Sequence, residues 1–224
     1  MKAMILAAGR GSRMRPLTDH TPKPLLKVGS QSLLERHLIR LSEAGFREIV
    51  VNVSHLAEQI IKFCEIKSNL GAKILVSPEK EPLETAGGIK NALPLLGDLP
   101  FLVVNGDIWT DFEFKQLIAN RLSGKSLAHL VLVGNPPEHL SGDYALNCGT
   151  VSQALNGASF TYAGIGIFNP VLFSRFNKAK GPLRPLLDQA IDRGHVTGQL
   201  YGGLWYDIGT PDRLEKLNKS LKRS

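Results

Sequence analysis

Near the N-terminus the chain runs Leu6-Ala7-Ala8-Gly9-Arg10-Gly11-Ser12-Arg13-Met14-Arg15-Pro16-Leu17-Thr18. Gly9 and Gly11, two apart, let a backbone turn sharply and aim several N–H groups into one concavity that suits an anion. Arg13 and Arg15 in the same loop supply the forked cations that a polyphosphate needs beside backbone donors. Two commoner phosphate motifs do not fit. A dinucleotide fingerprint needs G-x-G-x-x-G opening a helix, whereas Met14 stands at the third glycine and Pro16 prevents an early helix. A P-loop would close on G-K-[ST], and no such triplet follows. Ten residues beyond Arg13 comes Thr21-Pro22-Lys23-Pro24-Leu25-Leu26. Prolines on both sides hold the Lys23 backbone extended and limit where its ammonium reaches. Taken alone, Lys23 is equally a phosphate cation or a solvated lysine on a turn.

Carboxylates complete the set. Asp107 ends the apolar run Phe101-Leu102-Val103-Val104 through Asn105-Gly106, and Asp207 ends Trp205-Tyr206. Mg²⁺ takes oxygen ligands, retains waters and is commonly held by one or two carboxylates plus substrate phosphates. Two aspartates at the carboxyl ends of strands, facing the crevice where α/β sheets bind ligands, meet that requirement. Each one singly is also an ordinary turn residue or helix N-cap. Ahead of both, after the third expected strand, lies Pro78-Glu79-Lys80-Glu81-Pro82-Leu83-Glu84-Thr85-Ala86-Gly87-Gly88. Its glycines bring backbone close to a flat ring, with backbone groups or Glu79 reading a pyrimidine edge; a plain loop and helix start explains the same residues. The six histidines show no metal spacing, and Cys64 and Cys148 form no CxxC and read as packing residues.

The elements that must position these groups follow from periodicity. Strands are expected at Met4–Ala8, Glu48–Val53, Ala72–Val76, Phe101–Val104 and Leu127–Val133, alternating with helices at Ser32–Ala44, His55–Phe63, Thr85–Leu96 and Phe112–Leu122. Ser32 with Glu35 forms a capping box. This βαβα alternation predicts an α/β fold, a Rossmann-like and mostly parallel sheet covered on both faces. From Asn135 the pattern changes to short strands, 143–147, 150–155 and 160–168, expected as a small antiparallel insertion over the sheet. Helix 182–193, strand 196–201, the segment 205–207 and a last helix opened by Pro211 close the chain.

Composition narrows the classes. With 224 residues, 43% apolar and 21% charged, the chain reads as one domain, 1–224, with a real core. No apolar run approaches the ~20 residues of a membrane span, and the opening apolar stretch stops at Gly9, so no signal peptide is expected and a cytoplasmic location is. The net charge of +7 is concentrated. Lys2, Arg10, Arg13, Arg15, Lys23 and Lys27 face only Asp19 in the first thirty residues, and Arg213, Lys216, Lys219, Lys222 and Arg223 face Glu215 in the last twelve. Two short segments with few aromatics between them do not make a nucleic-acid stripe. The C-terminal cluster reads as a solvated helix end, where cations suit the helix dipole.

The combination LAAGRGSRMRPLT, PKPLL, a strand ending in NGD and a late WYDIGTP resembles the sugar-1-phosphate nucleotidyltransferase family, from residue 1 to about 215. Within it, EPLETAGGI, NGDIWTD and the expected lack of an appended C-terminal domain resemble the branch of N-acetylmuramate α-1-phosphate uridylyltransferases of cell-wall (peptidoglycan) recycling. The resemblance implies that UTP and N-acetylmuramate α-1-phosphate give UDP-N-acetylmuramic acid and pyrophosphate, with Mg²⁺ held by Asp107 and Asp207. It implies that Ala8, Gly9, Gly11 and Ser12 cradle the nucleotide, that Arg13 lies on the triphosphate and that Lys23 holds the α-phosphate or leaving group, so that Lys23, Arg13 and Asp107 are catalytic. It turns Glu79, Thr85 and Gly87 towards the base, and Asn105, Asp143 and Gly164 towards the sugar. On this view residues 1–134 bind nucleotide and 135–210 sugar, in a monomer or homodimer without nucleic-acid or membrane partners. Small residues in Tyr162-Ala163-Gly164-Ile165-Gly166 would admit a sugar, though glycine in a strand also marks a bulge. One departure stands out. Hexose-1-phosphate members carry a Glu-Lys-Pro lysine on the sugar phosphate, and Ser152–Ala158 has none, which leaves that grip unassigned. Rival readings are a mannose-1-phosphate guanylyltransferase, a glucose-1-phosphate thymidylyl- or uridylyltransferase, and a non-catalytic nucleotide-sugar sensor.

Overall fold

The structure, a computed structural model, describes residues 1–119, 122, 124–154 and 158–222. It begins with β1 (Ala3–Leu6), three successive 3-10 turns (Ser12–Met14, Leu17–Asp19, Lys23–Leu25), the short strands β2 (Lys27–Val28) and β3 (Gln31–Ser32), and α1 (Leu33–Glu43). There follow β4 (Glu48–Val53), α2 (Ala57–Ile66), β5 (Lys73–Pro78), α3 (Glu84–Leu96), β6 (Phe101–Asn105), β7 (Ile108–Thr110), α4 (Lys115–Ala119) and β8 (Ala128–Val133). The second half holds β9 (Tyr144–Asn147), β10 (Thr150–Gln153), β11 (Thr161–Phe168), α5 (Arg184–Asp192), β12 (Val196–Tyr201), β13 (Trp205–Asp207) and α6 (Pro211–Leu221).

Nine strands form one sheet in the order β5-β4-β1-β6-β11-β8-β12-β10-β9. β5, β4, β1 and β6 are mutually parallel, as are β8 and β12. β11 runs antiparallel between β6 and β8 and joins the two parallel groups. Strand alternation divides the core. Ala3 and Ile5 of β1 pack with Leu34, Leu38 and Leu41 of α1 and Ile60 of α2 on one face, while Met4 packs with Ile89 and Ala92 of α3 on the other. A third cluster gathers Met14, Trp109, Ile208 and Leu217 beneath the loops after β1 and β6. Small antiparallel pairs, β13 with β7 and β2 with β3, stand beside the main sheet. The antiparallel strands β9 and β10 are present as expected, but they extend the edge of the sheet through β12 rather than lying over it.

Other boundaries moved for local reasons. The expected helix from Phe112 begins at Lys115, because Phe112 and Phe114 are buried in the core and Phe112 N–H donates to Thr110 Oγ1 instead. Lys23 opens a 3-10 turn rather than sitting in extended chain: Leu25 and Leu26 N–H fold back on Pro22 and Lys23 carbonyls, and the extended conformation is kept by Pro22 before the turn and Leu26 after it. Ser32 caps α1 as expected, its side chain accepting from Glu35 N–H. Asn120 and Arg121 of the expected fourth helix, Leu155, Asn156 and Gly157 of the expected strand and lysine-free stretch, and Arg223 of the basic tail lie outside the described residues. No helix among the described residues is long and apolar enough to cross a membrane.

Candidate active site

The loop after β1 is a device for seating Lys23. Gly11 adopts φ +61°, and its carbonyl accepts from Met14 N–H and from Thr18 Oγ1. A Cβ there would lie 2.9 Å from Thr18 Cγ2 and 3.1 Å from Lys23 Cβ, so glycine is what lets the turn close onto the lysine stem. Buried Met14 pins the turn from below, and Ser12 and Arg13 remain exposed at its crest. Lys23 itself is only 7% exposed, and its Nζ stands 2.6 Å from Asp107 Oδ2. A nearly dry ammonium 84 residues away in sequence from its carboxylate partner is expensive to place unless the pairing is close and the charge is used.

Asp207 is brought to the same spot by register. β13 pairs with β7 so that Asp207 stands opposite Ile108, and Ile208 N–H donates to the Asp107 carbonyl at 2.9 Å. Gly106, just before Asp107, donates to the Leu6 carbonyl, and a Cβ on it would fall 2.5 Å from that oxygen. The Asp207 Oδ2 receives Arg213 Nη1 at 2.5 Å, and Arg213 Nε reaches Glu138 Oε1 at 2.9 Å. Burial and then the charge of Asp107 push the Asp207 carboxyl above the usual carboxylate range, opposed by Lys23, Arg213 and Arg13. From behind, α1 holds β7 in place. His37 donates Nε2–H to the Ile108 carbonyl, Arg36 Nη2 reaches Thr110 O with its guanidinium 4.4 Å above the Trp109 ring, and Arg40 Nη2 reaches the Asp111 and Phe112 carbonyls. Burial drops the His37 pKa to about 4, so the ring is neutral at pH 7.

Three cavities meet here. One of 210 Å³ is lined by Ala8, Gly9, Lys23, Glu79, Thr85 and Asp107, among others. A second of 380 Å³ takes in Arg13, Asn105, Asp107, Gly164, Asp207 and Arg213. A third of 240 Å³ is bordered by Thr85, Asn105, Asp143, Tyr162 and Arg184. Asn105 touches all three, and Asp107 belongs to the first two. The carboxylate of Glu79 faces the first cavity fully engaged by the chain: Oε1 accepts from Asn52 Nδ2 at 2.7 Å and Oε2 from Leu83 N–H at 2.9 Å. Asn52 in turn accepts from Ala7 N–H at 2.7 Å, so the base of the glycine loop and the Glu79 loop are tied together. Asp143 is engaged likewise, Oδ2 by Tyr162 N–H and Oδ1 by Arg184 at 3.0 Å and His139 at 3.2 Å. Gly164, at φ +71° in a register shift of β11 against β8, leaves room for the Asn105 side chain; a Cβ there would sit 2.5 Å from Asn105 Nδ2.

A paired acid site at the carboxyl ends of strands, beside a glycine loop and a buried lysine, is the geometry the motifs imply. Residues 2–146 match the model of the nucleotidyl transferase family. N-acetylmuramate α-1-phosphate uridylyltransferase of Neisseria meningitidis serogroup B is 48% identical over 222 residues, covering 96% of each chain. This chain belongs to the nucleotidyl transferase family. A second uridylyltransferase of that description, from Caulobacter vibrioides, is 33% identical over 93% of this chain and 92% of its own. Mannose-1-phosphate guanylyltransferase catalytic subunit beta of Drosophila pseudoobscura is 32% identical, and the match spans 59% of its length. Among solved structures, HddC from Yersinia pseudotuberculosis complexed with GMP-PN superposes with a TM-score of 0.80 at 25% identity, over 98% of this chain and 99% of that one. A Bacillus anthracis protein crystallised with sucrose shares the fold, with a TM-score of 0.87 at 20% identity over 100% and 96% of the two chains.

Within this nucleotidyl transferase, the structure gathers most of the expected residues. Ala8, Gly9, Lys23, Glu79, Thr85 and Asp107 share one cavity, and Arg13, Asn105, Gly164, Asp107 and Asp207 share its neighbour. Asp143 lines the third. Gly11 and Ser12 shape or crown the loop without lining these cavities. Gly87 is turned away from the first cavity: its N–H donates to Gly181 O, and a Cβ would meet Ala179 O at 2.7 Å. Its smallness serves the packing of α3 against the 179–181 segment. Three contributors escaped the sequence reading. Asn52 was detectable as the one polar residue inside the apolar strand Glu48–Val53. Gly88 makes room for the Glu79–Asn52 contact, since a Cβ would lie 2.7 Å from Glu79 Oε1. The sequence groups Arg213 with a solvated basic cluster, yet it ion-pairs with Asp207 and Glu138 from the first turn of α6, which Thr210 caps.

Proposed function

We propose that this chain transfers the uridylyl group of UTP to N-acetylmuramate α-1-phosphate, giving UDP-N-acetylmuramic acid and pyrophosphate in peptidoglycan recycling. The observation that carries the reading is the Lys23–Asp107 contact at 2.6 Å on the border between two cavities, with Asp207 alongside. A phosphate oxygen of the sugar attacks the α-phosphorus of the nucleotide, a new P–O bond forms, and the α–β bridging bond breaks with its electron pair going to pyrophosphate. No proton need move. The protein's task is therefore alignment and neutralisation of charge.

Residues 1–134 hold the nucleotide, with Ala8, Gly9, Gly11 and Ser12 in the loop, Arg13 and Lys23 on its phosphates, and Glu79, Thr85 and Gly87 forming or backing the base side. Glu79 acts in this as a strut, since both its oxygens are engaged. Residues 135–210, with Asn105 and Gly164 at the border, hold the sugar, and Asp143 fixes that wall. Asp107 and Asp207 suit a hard divalent cation: both offer carboxylate oxygen, and burial and then the charge of Asp107 raise the Asp207 carboxyl against the opposing Lys23, Arg213 and Arg13, so added positive charge would be welcome there. When bound there, Mg²⁺ supplies charge stabilisation on phosphate oxygens. The enzyme works in the cytoplasm on small molecules, as a monomer or homodimer, without nucleic acid or membrane.

The test is a matrix of UTP, GTP, dTTP and ATP against N-acetylmuramate, mannose and glucose 1-phosphates, read as pyrophosphate release. UTP with N-acetylmuramate 1-phosphate is expected to give the highest kcat/KM. Best turnover with mannose 1-phosphate and GTP overturns the assignment.

A further inference from the structure

We propose that Arg213 is the cation that grips the 1-phosphate of the sugar, the counterpart of Lys23 on the nucleotide side; this rests on the nucleotidyl-transfer reading above. The two cations stand on opposite sides of a shared border. Lys23 lines the cavity that holds Ala8, Gly9 and Thr85, whereas Arg213 lines the one that holds Tyr162 and Gly164, and Asn105 and Asp107 belong to both. In-line displacement puts the entering and leaving oxygens on opposite sides of phosphorus, and both carry phosphate charge. A grip on each side is what such a reaction needs from a site with no other task than alignment.

Charge leads to the same residue. The second cavity is bordered by Asp107, Asp207 and Glu138, and a sugar phosphate dianion would enter against three carboxylates. Of the guanidinium groups there, Arg13 is carried on the exposed crest of the glycine loop, while Arg213 is held in one orientation, 24% exposed in its side chain. Nη1 is fixed on Asp207 at 2.5 Å and Nε on Glu138 at 2.9 Å. A guanidinium carries five N–H donors in a plane, so donors beyond these two contacts remain to bind oxygen. The place is built for the group. A Cβ at Gly209 would lie 2.8 Å from Arg213 Nη1 and 3.0 Å from Asp207 Oδ2, so glycine there leaves the pair room to meet without displacing either side-chain tip. Arg213 also stands in the first turn of α6, where the helix dipole favours an approaching anion.

The experiment uses the full chain and whichever sugar 1-phosphate the wild type turns over best. Failure of wild type to use any sugar phosphate refutes the function itself before a variant is made. Arg213→Gln is expected to raise KM for the sugar phosphate at least tenfold while KM for the nucleotide stays within twofold, with Arg213→Lys in between. In thermal shift, the sugar phosphate alone should no longer raise the melting temperature of Arg213→Gln, and the nucleotide alone still should. Gly209→Ala, which keeps the charge but crowds it, is expected to move the sugar KM in the same direction, and it serves if Arg213→Gln fails to fold. A rise in both KM values by the same factor, or an unchanged sugar KM with only kcat reduced, overturns the proposal and leaves Arg213 as a prop for Asp207.

Discussion

The cavity beside Lys23 and the cavity beside Arg213 share a wall at Asp107, yet different means build them. On the Lys23 side, backbone dominates: Gly11 at positive φ closes the loop, Gly106 presses against the Leu6 carbonyl, and the parallel strands β1, β4 and β6 end side by side. On the Arg213 side, side chains dominate, with Glu138, Asp207 and Arg213 in one ionic chain, and at the adjoining third cavity Asp143 is held by Arg184 and His139. Two carboxylates around these cavities look like ligand readers and act as ties, Glu79 at the first cavity and Asp143 at the third. Polar residues at a cavity wall are thus of two kinds, those with donors aimed at the cavity and those whose oxygens each already hold a bond to the chain.

The sharpest blow to this contrast is at the shared wall. Asp107→Ala should lower kcat/KM by about a thousandfold, about 4 kcal/mol of transition-state stabilisation, with the circular dichroism spectrum retained but the melting temperature lowered, because buried Lys23 loses its partner. Residual activity within a few-fold would mean that neither cavity depends on that carboxylate. The brace common to both is next. His37 is neutral in the fold with a pKa of about 4 against 6.5 when unfolded, so the unfolded chain binds the extra proton between those values. Its share of stability is complete above pH 6.5 and is lost as pH falls towards 4, about 3 kcal/mol across that window. Urea unfolding at pH 7 and pH 4.5 should show the loss, and His37→Gln should flatten it. On the nucleotide side, Glu79→Gln leaves one of two buried donors without its carboxylate and should cost about 1–3 kcal/mol, read in chemical denaturation. Its KM effect should fall on the nucleotide alone. The smallest change belongs to the sugar side, where Gly164→Ala should cost about 1–2 kcal/mol for its left-handed backbone and, by displacing Asn105, raise the sugar KM with the nucleotide KM unchanged. Equal effects of Glu79→Gln and Gly164→Ala on both substrates would erase the division into two sides.

The same division explains what could be read from sequence. Where backbone makes the site, composition and glycine spacing carry the information: β4 has its expected ends, β6 starts at Phe101 as expected, and Lys23 meets Asp107. Where side chains make it, the information lies in pairings between distant segments. Arg213 lies six residues after Asp207 and in a basic helix, and nothing local separates it from Lys216 or Lys219, which pair along the helix with Asp212 and Glu215. Glu79 and Asp143 carry the residue type of a ligand contact, and only the folded chain reveals Asn52, Leu83, Tyr162 and Arg184 at their oxygens. Lys23 was expected in extended chain because proline restricts φ, but that restriction is equally compatible with a 3-10 turn once Leu25 and Leu26 find acceptors.

The antiparallel match of 205–207 with 108–110 has a further outcome. A polypeptide halted anywhere before that late segment would own the glycine loop, the lysine and one of the acids, and would have most of the sheet into which they are set. Its second acid would be missing altogether. Competence therefore arrives in a single late event, when the final strand docks on β7, and on the proposed assignment a fragment shed from this protein would keep the nucleotide-side groups without the second acid.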